Sequence, residues 1–216
     1  MPELTPELLL RAYAHGYFPM AESRDDPELF WLDPEMRGII PLDHFHVPRR
    51  LARTIRMERF EVRIDTAFEQ VMRNCAAPRR GHGDSWINAQ IINLYTALFE
   101  QGRGHSVECW MDGRLAGGIY GVQIGAAFFG ESMFSIVRDA SKVALTHLAA
   151  RLRAGGFALF DTQFLTPHLA RFGGEEIPRA RYHQLLRRAI NNAGDFYALP
   201  DHCGGSEVLQ SITQTS

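Results

Sequence analysis

The polar residues best placed to do chemistry follow a short apolar run. Residues 157–160 are apolar and lead into Asp161-Thr162-Gln163, where Asp161 and Gln163, two positions apart, point to the same side of a strand. A carboxylate and an amide at the end of a core strand are costly to bury without partners. The pair is therefore either a hydrogen-bonded anchor of a loop or a polar pair that acts on a substrate, and the residues alone leave both interpretations open.

A second candidate is Glu131, which stands among apolar residues. Phe128, Phe129, Met133 and Phe134 surround it in the sequence. As a turn residue it would face solvent. As a functional residue it would place a negative charge at the mouth of an apolar pocket, which suits a cationic or amine-bearing substrate.

Residues that suit a nucleic acid form a third set. Of the 23 basic residues all but Lys142 are arginine, which contacts phosphate in a planar, bidentate manner. One face of a predicted helix and one polar loop would offer such contacts to a phosphate backbone, through Arg49, Arg53, Arg56, Arg79 and Arg80. Trp31 and Trp86 would stack on a nucleobase. The alternatives are a solvated face for the arginines and core positions for the tryptophans.

The bulk properties exclude several classes of protein. A formal net charge of −2 gives no global sign of a nucleic-acid binder, and 45% hydrophobic residues suffice for a core. Three cysteines without C-x-x-C spacing argue against a disulfide framework, and no metal site is predicted. No signal peptide or membrane-length apolar run is found, so we expect a cytoplasmic protein without membrane contact.

The first third of the chain contains helix signals and one strand signal. Thr5 followed by Pro6 predicts a helix that ends at Gly16, and Pro48 predicts the start of a second helix. Residues 17–43 between them lack a regular pattern. Residues 60–64 alternate as in a strand, after which Asp65 is predicted to cap another helix.

The middle and the end of the chain predict a mixed sheet. Residues 105–111 turn at Asp112-Gly113 into residues 115–122, which is a hairpin signal, and a further strand starts at residue 126. Asp139 is predicted to cap a helix, residues 157–160 form a strand, and Pro178 begins the last helix. This order indicates an α+β fold. Residues 198–216 are rich in Gly, Ser, Thr and Gln, and we expect a loose tail there.

The same order of elements also suits a CoA-dependent N-acyltransferase. Such enzymes bind pyrophosphate on a glycine-rich turn at a helix N-terminus. The corresponding residues 136–142 contain no glycine. The sequence therefore argues against CoA as a substrate while it leaves the fold open.

Several stretches, in order along the chain, together resemble one family. They are G-Y-F-P-M at 16–20, W-L-D-P-E-M-R at 31–37, S-W-I at 85–87, H-S-V-E at 105–108, G-G-I-Y-G at 117–121, F-F-G-E-S-M-F-S at 128–135, A-S-K at 140–142 and D-T-Q at 161–163. The chain resembles the bacterial leucyl/phenylalanyl-tRNA–protein transferases. G-E-S-M-F-S followed by D-x-Q is specific in combination.

The resemblance implies a fold and an activity. It implies a small N-terminal domain (residues 1–59), a catalytic domain of acetyltransferase-like (GNAT-like) fold with a mixed sheet (residues 60–197), and then the tail (residues 198–216). It implies transfer of Leu or Phe, and Met less well, from aminoacyl-tRNA to the N-terminal Arg or Lys of acceptor proteins, which marks them for N-degron degradation. No cofactor is expected.

The resemblance also implies roles for single residues. Asp161 and Gln163 match the catalytic positions, Glu131 matches an acid near the acceptor, and Trp31 and Trp86 match aromatics around the terminal adenosine. Positions matching the apolar pocket for the transferred side chain are Ile119, Phe128, Met133, Leu145 and Phe160. Thr166 stands where some family members have Asn.

Elementary chemistry favours a modest role for Gln163. The α-amine of an acceptor has a pKa of ~7.7–8.0, so a fair fraction is neutral and needs no strong base. An amide is a poor base, and we therefore interpret Gln163 as a group that positions the amine. Asp161 would orient Gln163 or stabilise the developing ammonium, and an Asp–Gln relay that makes Gln163 the base is the alternative. A non-catalytic adaptor that binds N-terminal residues or tRNA ends remains a rival hypothesis.

Overall fold

The computed structural model describes residues 4–26, 28–78 and 85–213. The helices are α1 (Pro6–Ala14), α2 (Arg49–Arg56), α3 (Phe68–Ala76), α4 (Ala89–Glu100), α5 (Ala140–Ala154), α6 (Pro167–Ala170), α7 (Arg179–Ile190) and α8 (Gly205–Thr213). The strands are β1 (Phe18–Met20), β2 (Phe30–Leu32), β3 (Met36–Ile39), β4 (Glu61–Ile64), β5 (Gly104–Met111), β6 (Arg114–Ile124), β7 (Ala127–Ser135), β8 (Leu159–Gln163) and β9 (Glu175–Pro178).

A mixed sheet forms the centre of the molecule. In the described part of the chain it has seven strands in the order β4-β5-β6-β7-β8-β3-β9. Neighbouring strands are antiparallel except β7 and β8, which run parallel because α5 connects them as a crossover. The predicted α+β fold with a mixed sheet is confirmed.

Helices cover both faces of this sheet. Helices α2, α5 and α8 share one apolar core, and α1, α3, α4 and α7 share the other. Successive strand residues alternate between the two cores, as the pleat requires: Ile119 belongs to the first and Tyr120 to the second, and Phe128 and Phe129 divide in the same way.

The segment predicted to be irregular contains short strands. Strands β1 and β2 pair antiparallel as a separate two-stranded ribbon, with Pro19 opposite Trp31. Strand β3 then enters the central sheet between β8 and β9. Three- and four-residue strands separated by prolines are too short to show a periodic pattern, which is why the sequence did not reveal them. The boundary predicted after residue 59 does not follow the edge of the sheet, since β3 lies inside it.

Local signals explain most of the remaining elements. The Thr5 hydroxyl oxygen accepts a hydrogen bond from the Leu8 amide at 3.3 Å, and α1 ends before Gly16, whose φ is +90°. The Asp112-Gly113 hairpin joins β5 to β6 as predicted. Asp139 is the N-cap residue of α5, as predicted, but its side chain makes no capping hydrogen bond. The cap predicted at Asp65 is wrong: the N-cap of α3 is Ala67, and Asp65 accepts a hydrogen bond from the Ser106 amide instead.

The expectation of a loose C-terminal tail is wrong for residues 205–213. They form α8, whose Val208, Leu209 and Ile212 are buried in the core with α5 and α2. The Arg151 guanidinium also donates to the carbonyl oxygens of Phe196 and Leu199, at 2.9 and 2.7 Å. The mainly polar composition of residues 198–216 is the reason why the amphipathic helix α8 was not predicted from the sequence. Among the described residues, no helix combines the length and the apolar character that a membrane crossing requires.

Candidate functional site

The site lies where two parallel strands separate. Strands β7 and β8 pair only from Ala127 to Phe129, opposite residues 159–161. Beyond that point β7 continues along β6, whereas β8 continues along β3. The gap between residues 130–133 and residues 162–164 opens a pocket at the edge of the core.

This pocket has a volume of about 300 Å³, at the lower end of the range of small-molecule sites. Apolar side chains form most of its wall, and polar groups form the remainder. Its lining residues are Phe18, Met20, Trp86, Ile119, Gly130, Glu131, Ser132, Met133, Leu145, Phe160, Thr162, Gln163, Phe164, Thr166, His168 and Leu169.

A bulge in β7 places Glu131 in the pocket wall. Tyr120 lies opposite Ser132 and Gly121 lies opposite Gly130, so Glu131 is an extra residue without a partner on β6. Such bulges bend a strand and redirect a side chain. The carboxyl group of Glu131 accepts a hydrogen bond from the Tyr13 hydroxyl at 2.6 Å, and Tyr95 donates to its other oxygen at 3.3 Å. The two tyrosine hydroxyl oxygens also lie next to each other.

The surroundings of Glu131 favour its protonated form. Loss of hydration is the main cause that raises the pKa of this carboxyl group to about 8, and the negative charge of Asp161 adds to the effect. Hydrogen bonds from Tyr13 and Tyr95 oppose the shift without cancelling it. Near neutral pH the group therefore exchanges a proton readily, as a general acid or base must.

Gln163 is held in a strained turn at the end of β8. Its φ is +56°, in the left-handed region that disfavours residues with a side chain, and the next amide, that of Phe164, donates to the Thr162 carbonyl oxygen at 2.6 Å. Gly38 on β3 permits this turn, because a Cβ atom there would lie 2.5 Å from the Phe164 carbonyl carbon. The strain places both Gln163 and Phe164 in the pocket wall.

The Gln163 amide has two orientations within reach of partners. In one, Nε2 points at Glu131 Oε1 at 3.4 Å. In the other, the nitrogen donates to the carbonyl oxygens of Gly130 and Thr162 at 2.8 and 3.1 Å. The second orientation turns the amide oxygen toward Glu131, which is favourable when Glu131 carries a proton.

Asp161 lies behind the wall rather than in the pocket. Its carboxylate is fully buried and forms an ion pair with Arg37, with Nη2 of the guanidinium 2.7 Å from Oδ2. It also accepts hydrogen bonds from the Tyr182 hydroxyl at 2.6 Å and from the Gln163 backbone amide at 2.8 Å. Burial alone would lower the pKa of Arg37, but the adjacent carboxylate outweighs this and raises it above its ordinary value. Asp161 thus fixes the turn that carries Gln163.

The structure brings together many of the residues predicted from the sequence. Those that line the pocket are Trp86, Ile119, Glu131, Met133, Leu145, Phe160 and Gln163, and Thr166 joins them. Their roles toward a substrate stay predictions. No three His, Cys, Asp or Glu side chains among the described residues are arranged to hold a metal ion.

Two residues predicted to bind substrate, one in the apolar pocket and one at the terminal adenosine, do not line this cavity. Phe128 packs against Phe160 from behind, with ring centroids 5.9 Å apart, and does not reach the cavity. Trp31 lies 39% exposed in a shallow groove on the ribbon, beside Tyr17 and Leu8. Because residues alternate along the ribbon, Trp31 and the pocket residue Met20 face opposite sides.

The predicted arginine face exists but borders another region. Arg49, Arg53 and Arg56 are exposed on α2, and Arg49 and Arg56 flank a groove between α2 and α8. None of them lines the pocket. Arg79 and Arg80 lie outside the described residues.

Sequence reasoning missed the residues that support the site from a distance in the chain. Tyr13, Tyr95, Arg37 and Tyr182 contact Glu131 or Asp161 from four different elements. Only Arg37 stood in a stretch that the sequence singled out. The others carry no local signal, because a tyrosine on an apolar helix face is ordinarily a core residue.

An apolar pocket that opens onto a titratable carboxyl group and a fixed amide has the features of an enzyme site. The sequence profile of the leucyl/phenylalanyl-tRNA protein transferases matches residues 39–187, and that of their N-terminal domain matches residues 2–35. The chain belongs to this family of aminoacyltransferases.

Bacterial relatives match nearly the whole chain. Proteins named leucyl/phenylalanyl-tRNA–protein transferase are 59% identical over 216 residues in Nitrobacter winogradskyi, covering 99% of this chain and 96% of the relative. In Caulobacter vibrioides the identity is 56% over 212 residues, covering 98% of each. In Paramagnetospirillum magneticum it is 62% over 190 residues, covering 88% and 91%. The family name implies aminoacyl transfer from tRNA to proteins.

Proposed function

We propose that this protein transfers leucine or phenylalanine from aminoacyl-tRNA to the N-terminal Arg or Lys of acceptor proteins, in the cytoplasm, as a mark for N-degron degradation. The pocket between β7 and β8 is the observation that carries the proposal. It joins an apolar wall, suited to an uncharged side chain, to Glu131 and Gln163, which suit an amine. Methionine, which is unbranched and apolar, is a further substrate.

The apolar part of the pocket supports the choice of amino acid. Ile119, Met133, Leu145 and Phe160 converge from β6, β7, α5 and β8. A side chain unbranched at Cβ enters such a slot more easily than isoleucine or valine. One misplaced methyl group changes selectivity by only ~1–3 kcal/mol, so we expect a preference rather than an absolute choice.

The polar border supports an amine as the acceptor. The ester of aminoacyl-tRNA is already activated, and bringing it to the amine supplies ~7–11 kcal/mol of the barrier. The acceptor nitrogen attacks the ester carbonyl carbon, the new amide bond forms, and the ester C–O bond breaks. The proton lost by the nitrogen is passed to the departing ribose oxygen.

Glu131 and Gln163 have different roles toward the amine. The Gln163 amide oxygen accepts a hydrogen bond from the amine and aims its lone pair, and Asp161 fixes Gln163 through its backbone amide. Glu131, with a pKa of about 8, matches the pKa of an α-amine and takes up or returns the proton. Asp161 is a positioning residue here, since it touches no open space.

An acetyltransferase-like catalytic domain behind a small N-terminal domain completes the proposal. Adjacent parallel strands that separate at one end support this fold, because they open a binding site within the sheet. The glycine-free turn before α5 argues against CoA as the donor.

A transfer assay tests the function. The purified protein is incubated with radiolabelled Leu-tRNA and a peptide that begins with Arg, beside the same peptide beginning with Asp. We expect label only in the first peptide, and a large loss for Gln163→Ala. Acetylation from acetyl-CoA would favour the acyltransferase alternative, and binding without label transfer would favour the adaptor.

A further inference from the structure

His168 is a pocket residue that the proposed reaction does not use. It stands on α6, whose cap Thr166 accepts a hydrogen bond from the Leu169 amide at 3.2 Å, and it lines the same cavity as Gln163 and Glu131. Its ring packs edge-on against Phe172, with centroids 5.3 Å apart. Within the described residues neither imidazole nitrogen has a hydrogen-bond partner. A half-buried, unpaired imidazole in a pocket wall is available to a ligand.

Two cationic side chains lie near His168. Burial lowers the pKa of His168, and the charges of Lys142 on α5 and Arg171 after α6 lower it further, so its imidazole is neutral near pH 7. Lys142 is paired with Asp139 at 2.6 Å, whereas Arg171 is exposed and has no acidic partner among the residues that the structure describes. The other border carries Glu131, with Asp161 behind it. The pocket therefore has a carboxyl group at Glu131 and cationic side chains near His168.

Resting on the proposed function, we infer that the terminal nucleotide of the aminoacyl-tRNA lies at the His168 end, where the imidazole accepts a hydrogen bond from the ribose 2′-hydroxyl and Lys142 and Arg171 face the adjacent phosphate. The aminoacyl group is esterified to that same ribose, so a side chain in the apolar slot brings the ribose to the mouth. The cationic end suits the phosphate, and the carboxyl end suits the acceptor amine. A neutral imidazole suits a hydroxyl donor.

Equilibrium binding tests the hydroxyl contact independently of turnover. The probe is adenosine that carries leucine as a stable 3′-amide, compared with its 2′-deoxy form by calorimetry. Wild-type protein should bind the 2′-deoxy probe about three- to tenfold more weakly, the loss expected for one hydrogen bond. In His168→Ala the two probes should differ by less than about twofold, and His168→Gln should restore part of the difference.

The matched control is His202→Ala, an exposed histidine that does not line this pocket. It should show the wild-type difference. An equal difference in wild type and His168→Ala, or none in wild type, would overturn the contact. A wild-type protein that binds the probes as expected but transfers no leucine would instead contradict the proposed function.

A 5′-phosphate on the probe tests the cationic end. It should tighten binding several-fold in wild type and in Arg187→Gln, a control on the exposed side of α7. In Lys142→Gln/Arg171→Gln this gain should disappear. A gain that survives in the double variant places the phosphate elsewhere.

Discussion

The carboxylate of Asp161 is surrounded by groups that it holds in place. The Arg37 guanidinium lies 4.4 and 4.5 Å above the ring centroids of Phe18 and Tyr182, and it also donates to the Gly16 carbonyl oxygen. The ion pair thus joins the ribbon, β3, β8 and α7 behind the pocket. These contacts agree with the interpretation from the sequence in which Asp161 orients Gln163.

Removing the charge of Asp161 should cost stability as well as activity. In Asp161→Asn the buried Arg37 charge loses its partner, which typically costs about 3–5 kcal/mol of unfolding free energy. The double variant Arg37→Met/Asp161→Leu should recover much of this loss in urea denaturation, while transfer of leucine stays impaired. Full turnover in either variant would contradict the positioning role.

The raised pKa of Glu131 predicts that the free energy of unfolding depends on pH. Its pKa rises from an ordinary 4.5 to about 8 on folding, so the folded protein holds a proton that the unfolded chain releases. The resulting stabilisation is complete below about pH 4.5 and is lost as the pH rises through about 8. Thermal melting should show a larger fall between pH 5 and pH 8.5 for wild type than for Glu131→Gln. Parallel curves for the two proteins would mean that the carboxyl group is not shifted.

At the level of elements, the turn after β8 depends on β3. Gly38 lies opposite Gln163, and Gly38→Ala would push the Phe164 backbone outward. We expect a several-fold loss of kcat with little change in the overall fold, because only the turn must move. Gly113→Ala is the control: its φ of +71° strains the hairpin turn, but nothing lies within 4 Å of the new Cβ atom, and the turn is not part of the pocket. A larger loss of kcat in Gly113→Ala than in Gly38→Ala would contradict the role of Gly38 in the turn.

Helix α8 provides a stability prediction at the same scale. Ile212 is 5% exposed and packs in the core with α5. Ile212→Ala should lower the unfolding free energy by about 2–5 kcal/mol in urea titration. Ser206→Ala, on the exposed side of the same helix, should stay within about 0.5 kcal/mol of wild type. Equal stability of wild type and Ile212→Ala would mean that α8 does not pack in solution.

Sequence patterns predicted the elements that have strong periodicity or end signals. Helices α1, α2 and α7 and the β5–β6 hairpin were evident in this way, and so were most residues of the apolar slot once the resemblance was included. The contacts of Tyr13 with Glu131 and of Arg37 with Asp161 were not, because their partners lie 118 and 124 residues away. The bulge at Glu131 and the turn at Gln163 depend on pairing with other strands, which no local pattern encodes.

For the whole molecule, binding of tRNA must come from local charge, because the net charge is −2. If the α2 face binds the phosphate backbone, log(kcat/KM) for charged tRNA should fall with log of salt concentration. Replacing Arg49, Arg53 and Arg56 by Gln should reduce the slope by about 0.7–0.9 for each phosphate that an arginine neutralises. An unchanged slope would assign these arginines to a solvated surface.

Because β3 lies between β8 and β9, the central sheet can be completed only after the chain has been synthesised as far as β9. A ribosome makes residues 36–39 early, yet their two neighbours in the sheet are residues 159–163 and 175–178. Pairings so remote in the chain close slowly and late. A polypeptide that ends before residue 159 lacks β8, and with it Asp161 and Gln163, so it cannot form the pocket.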